Sequence, residues 1–110
     1  MGIRLAKPWI ALSPEAIRAL PGQLGVFELA DGEGRVLQIG YAGGRTLFGL
    51  RSAVDEAARR QRGAVRFRYE VNMQYLSRYQ ELLMLHKADH GALPDGNAGE
   101  RMTLGRLSPL

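Results

Sequence analysis

The 110-residue chain contains no cysteine, which excludes disulfide cross-links and every thiolate metal site. Lysine is nearly absent as well: Lys7 and Lys87 are the only two, and every other basic side chain is an arginine. No apolar run approaches the roughly 20 residues of a membrane-spanning helix. The opening MGIRLAKPWIAL is apolar over too short a stretch, and too soon followed by Pro14 and Glu15, to read as a secretion signal. The glycine loop at 40–44 lacks the lysine of a P-loop. His86 and His90 have the i, i+4 spacing of paired metal ligands, but no H-E-x-x-H, third histidine or cysteine completes a zinc set. His90 is then more simply a residue of the helix end. These absences fit a reducing compartment, and the chain reads as cytoplasmic with no membrane association.

What is present describes one ordinary domain. The composition is 45% hydrophobic and 24% charged, and the length leaves no room for two cores. The formal net charge is +4, with an isoelectric point near 10.0. A basic, arginine-rich surface suits phosphate contact, because the planar guanidinium can bind two oxygens at once. An arginine-rich coding composition would leave the same mark.

The chain is organised around residues 25–51. Residues 26–29 and 36–39 are short β-rich runs joined by Asp31-Gly32-Glu33-Gly34, which predicts a hairpin. Before it, residues 1–12 read as an irregular arm whose Trp9 and Ile10 pack on the body. Ser13-Pro14-Glu15 predicts a short helix start, stopped by Pro21-Gly22. A second helix is predicted over 47–61, with Leu47, Leu50, Val54, Ala57 and Ala58 on one arc. Arg51 falls at the edge of that arc, where its partner is either Asp55 or a bound phosphate.

Residues 64–71 alternate, with Val65, Phe67, Tyr69 and Val71 on one side and Arg66, Arg68 and Glu70 on the other. They predict a half-buried third strand with a basic outer face. Arg59, Arg60, Arg62, Arg66 and Arg68 make this the densest positive segment: a solvated surface, or a track for a phosphate backbone. Ser77-Arg78-Tyr79-Gln80 has the form of a capping box for a last helix running to His90 and stopped by Gly91, with part of the preceding turn over 72–76 as an alternative helical start. Its apolar face is predicted from Tyr79, Leu82, Leu85 and Ala88. Glu81 then points into that face, a costly direction for an unpaired carboxylate. A turn over 93–97 and a polar tail over 98–110 close the chain.

The order of these features resembles the GIY-YIG nuclease superfamily. The resemblance rests on Gly25-Val26-Phe27, on Gln38-Ile39-Gly40, on an arginine-bearing helix, on a third strand, and on Glu81 followed by Leu-Pro-x-x-Asn ending at Asn97. It covers about 21–97 as the core, with 1–20 as arm and short helix. The flanking segments GVFELAD, VLQIG and YLSRYQELL look most like small stand-alone members. The resemblance implies an α+β fold, a small three-stranded antiparallel sheet flanked by helices. It also implies phosphodiester hydrolysis of DNA with Mg2+ or another divalent cation. Glu81 would hold the metal, Arg51 or Arg45 the phosphate, and Asn97 would close the motif. Gly25 and Gly40 keep the motif glycines. Phe27 and Gln38 stand where the family has tyrosines, and Tyr41 is the nearest hydroxyl. Three functions stand beside one another: the first two are a nuclease working with Tyr41, Arg51 and Glu81, and a nucleic-acid-binding module that has lost efficient catalysis. An accessory protein-interaction domain is the third.

Overall fold

The middle of the molecule is β2, Gly25–Ala30, every residue of which is buried. In a computed structural model that describes residues 3–99, β2 lies between β3, Val36–Ala42, and β4, Arg66–Val71. A two-residue strand, β1 (Ile10–Ala11), adds to the far side of β4, giving one antiparallel sheet in the order β1-β4-β2-β3. The sheet thus has four strands where the sequence predicts three. The arm supplies the fourth because β4 would otherwise end the sheet with open backbone groups, and Ile10 and Ala11 pair there with Phe67 and Arg66. Two residues carry no alternation to read. The helices are α1, Pro14–Arg18, α2, Leu50–Arg60, and α3, Tyr75–His90; a single 3-10 turn, Asp95–Asn97, follows. Most of the tail read over 98–110 lies outside the described residues.

Strand alternation divides the core in two. Phe27 and Leu29 of β2 and Phe67 of β4 pack with Leu50, Val54 and Ala57 of α2. Val26, which precedes Phe27 on β2, packs on the other face with Ile39 of β3 and Tyr79, Leu82 and Leu83 of α3; Leu5 of the arm joins this second cluster. The two helices therefore cover opposite faces of the sheet.

The local signals explain most element ends. Ser13 Oγ accepts the Ala16 N–H at 3.0 Å, as an N-cap should. Ser13→Ala is expected to lower stability by about 1 kcal/mol, read in a urea melt. In the hairpin, Asp31 Oδ1 accepts the N–H groups of Glu33 and Arg35, both at 2.9 Å, and these hold its carboxyl below the usual range, Arg35 first. Pairing slips by one residue between Leu29 and Ala30, a bulge that passes over Leu37.

Four readings change. α2 starts at Leu50, and Leu47 is left outside it, exposed. α3 starts at Tyr75, so Ser77 lies inside the helix rather than capping it; Gln74 is the N-cap and makes no side-chain cap bond, while Asn72 Oδ1 accepts its backbone N–H at 2.7 Å. The buried stripe of α3 is Tyr79, Leu82 and Leu83, not Leu85 and Ala88. That rotation takes Glu81 out of the core. The outer face of β4 is not a solvated basic face either: Arg68 and Glu70 are largely covered, while Val65 and Val71 are exposed.

Candidate functional site

Two motif glycines permit close approach. A Cβ on Gly25 would stand 2.1 Å from the carbonyl oxygen of Glu70 on the neighbouring strand. A Cβ on Gly40 would stand 2.3 Å from Phe27 Cζ, so the Phe27 ring lies across Gly40 toward the outer edge of the sheet. There β3, α2 and the 3-10 turn enclose a cavity of about 310 Å3. Phe27 and Gln38 both open on it, together with Tyr41, Thr46, Glu56, Arg60, Tyr79 and Asn97. Gln38 Oε1 is buried and meets no hydrogen-bond donor among the described residues. An orphaned acceptor of this kind costs about 1–3 kcal/mol.

Asn97 closes the cavity and also the sheet. Its Oδ1 accepts the Ile39 N–H at 2.8 Å and its Nδ2 donates to the Ile39 carbonyl at 2.9 Å. One side-chain amide thus pairs with edge strand β3 as another strand would. Nδ2 also reaches Tyr79 Oη at 3.3 Å. Tyr41 points to the α3 side of the sheet, where its ring packs edge-on against Tyr79 at 4.8 Å and stacks on Tyr75 at 5.7 Å. Sequence reasoning placed Tyr79 in the core and missed that its hydroxyl meets the closing asparagine.

Arg51 and Glu81 lie elsewhere. Arg51 Nε donates to the Leu20 carbonyl at 3.2 Å, and the side chain lines a groove of about 560 Å3 between α1 and α2 with Arg18 and Arg59. Asp55, its expected partner, pairs with Arg59 at 3.0 Å. Glu81 sits on α3 over the opposite face, held at 2.6 Å by Arg78 Nη1. Arg78 also takes both oxygens of Glu70, at 3.0 and 3.1 Å, and donates to the Ile3 carbonyl. Tyr41, Arg51 and Glu81 therefore do not gather in one cleft. The positive charge that a divalent cation would bring between Glu70 and Glu81 is already supplied by a guanidinium. Among the described residues no three His, Asp or Glu side chains form a metal-holding group. The residues around Glu81 do not fit a hard cation. The His86 and His90 rings lie 4.3 Å apart, and burial, then the neighbouring His90, depress the His86 pKa.

The arginines separate by what they meet. Arg68, on β4, bonds Glu28 directly across the sheet at 2.8 Å and lies 4.0 Å over the Trp9 ring. Burial pushes the Glu28 carboxyl up while Arg68 pulls it down. Arg68 is thus committed to the fold. Arg59 and Arg60 pair with Asp55 and Glu56 one helical turn back, exposed contacts worth little, from which a phosphate can draw them. Arg66 donates to the Gly32 carbonyl at 2.9 Å. Arg45, Arg51 and Arg62 are exposed and make no ion pair among the described residues.

No described helix is long and apolar enough to cross a membrane. No curated protein and no solved structure matches the chain. A family model described as a domain of unknown function (DUF7508) matches residues 3–89, from the arm almost to the end of α3, and the chain belongs to that family.

Proposed function

We propose that this protein is a nucleic-acid-binding domain on a GIY-YIG-like frame, with DNA as the first candidate ligand and without efficient phosphodiester hydrolysis. The observation that carries the binding is the sorting of its arginines. Those under α3 are matched by carboxylates, whereas Arg45, Arg51 and Arg62 are exposed and unmatched, with Arg59 and Arg60 weakly held beside them. The resemblance is supported by Phe27, Gln38 and Asn97 opening on a single cavity. Weak catalysis is supported by the same residues. Phe27 has no proton to exchange and Gln38 is no base at neutral pH, and loss of one positioned acid or base costs roughly 10²–10⁴-fold in rate. Glu81 is neutralised by Arg78 rather than open to a cation.

The test is fluorescence anisotropy with a labelled oligonucleotide across a salt series, beside a plasmid-nicking assay with Mg2+. Affinity is expected to fall steeply with salt. Replacing Arg45, Arg51 and Arg62 together by glutamine should flatten that slope by about 2–3. Nicking should not exceed background. Cleavage that is lost in Glu81→Ala would instead make the protein a nuclease. Absence of binding even at low salt would remove the nucleic-acid reading and leave an accessory protein-interaction domain.

A further inference from the structure

The loop over 43–49, between β3 and α2, is held from within and from both sides. Thr46 N–H donates to the Gly43 carbonyl at 3.0 Å, Gly43 N–H to Thr46 Oγ1 at 3.1 Å, and Gly49 N–H to the Thr46 carbonyl at 3.2 Å. Gly44 N–H donates to Tyr75 Oη at 3.2 Å, and Leu50 N–H to the Gln23 carbonyl at 2.9 Å. From this braced loop Leu47 and Phe48 project into solvent, 72% and 59% exposed. Their exposure is imposed by a fixed backbone rather than by slack chain.

Phe48 also has φ of 62°, a left-handed conformation that a bulky L-residue rarely takes. Close packing explains the glycine that follows, since a Cβ on Gly49 would lie 2.5 Å from the Gln23 carbonyl oxygen. Nothing in the packing explains a phenylalanine at 48, where glycine would be relaxed.

The surroundings indicate what such a side chain meets. From Gly34 through Val54 the chain has no Asp or Glu, while Arg45 lies in the loop and Arg51 N–H donates to the Phe48 carbonyl at 3.2 Å. Tyr41, exposed and stacked on Tyr75, adds an aromatic surface beside the loop. An apolar tip flanked by unmatched arginines fits a polyanion that also presents flat apolar faces. Resting on the nucleic-acid reading above, we infer that Leu47 and Phe48 form a rigid wedge that stacks on unpaired bases at strand ends, bulges or single-stranded stretches. Arg45 and Arg51 hold the adjoining phosphates. A fully paired duplex hides its base faces, so the wedge gives preference for unpaired sites.

The experiment is an anisotropy titration of the whole chain with a single strand, a blunt duplex and a bulged duplex of matched length, for wild type and Phe48→Gly. Each ligand carries 2-aminopurine, at the bulge in the bulged form. Wild type should bind the unpaired ligands about tenfold more tightly than the blunt duplex and quench the bulge probe. Phe48→Gly should abolish preference and quenching while leaving Tm unchanged or higher, since glycine relaxes the positive φ. Equal wild-type binding to all three ligands would overturn the wedge while the nucleic-acid reading stands. So would preference unaffected by Phe48→Gly, or a fall in Tm showing that Phe48 packs. Absence of binding to any ligand would remove both readings. Sedimentation with phosphatidylserine vesicles that depends on Phe48, without base preference, would reassign the wedge to a lipid surface.

Discussion

Asn97→Ala is expected to lower the unfolding free energy by about 3 kcal/mol, from the loss of both hydrogen-bond partners of Ile39 on a buried strand edge. Asn97 is 3% exposed, and its amide alone satisfies the outward N–H and carbonyl of Ile39. Each buried group left unanswered costs about 1–3 kcal/mol, and solvent entering from the neighbouring cavity keeps the sum in the lower half of its range. For a domain of this size, that is a fall in Tm of about 12 °C at roughly 4 °C per kcal/mol. Asn97→Asp separates donor from acceptor. At neutral pH the carboxylate can still accept from Ile39 N–H, but it sets an oxygen against the Ile39 carbonyl, where a donor now sits. The aspartate variant should be at least as unstable as the alanine variant at pH 7. It should recover part of the difference as acid protonates it and supplies an O–H donor. Equal stability of wild type and Asn97→Ala in urea melts would show that the 3-10 turn does not close the sheet.

The parts of this fold that were legible are those fixed by chemistry within a few residues. Ser13-Pro14 starts a helix wherever it stands, Asp31 folds its own turn, and Gly91 ends α3 with φ of 82°. Alternation in β4 showed which side chains share a face. It could not show that α3 and the arm would cover Arg68 and Glu70, because covering is decided by elements distant in the chain. Glu81 shows the same limit. A stripe drawn through Leu85 and Ala88 aims it inward; choosing Leu83 instead rotates the helix and sends it to Arg78. Arg78 lies three residues before Glu81, a spacing visible in the sequence that predicts this pair. β1 and the exposed Phe48 left no such signal, since one is two residues of borrowed pairing and the other contradicts its own backbone preference.

Arg78→Met is the other substitution expected to cost heavily, about 2–3 kcal/mol, because it leaves two carboxylates without their shared cation. Arg78 is nearly buried, while Glu70 and Glu81 keep some exposure, which discounts the 3–5 kcal/mol of a fully buried pair. The pH dependence separates this from simple loss of packing. Burial alone would raise the Glu70 carboxyl, but Arg78, with help from Asn72 and Lys7, outweighs it and holds the pKa below the usual 4.5. A depressed carboxyl contributes stability that is present above its unfolded pKa and is lost as pH falls through the folded one. Methionine removes that contribution and leaves burial to push Glu70 up. The gap between wild type and Arg78→Met should therefore be widest near pH 7 and narrow as both proteins are acidified through the Glu70 titration. Urea melts at pH 7 and near pH 3 measure it. A gap that stays constant between them would mean that Arg78 acts through its aliphatic stem and its bond to the Ile3 carbonyl, not through the carboxylates.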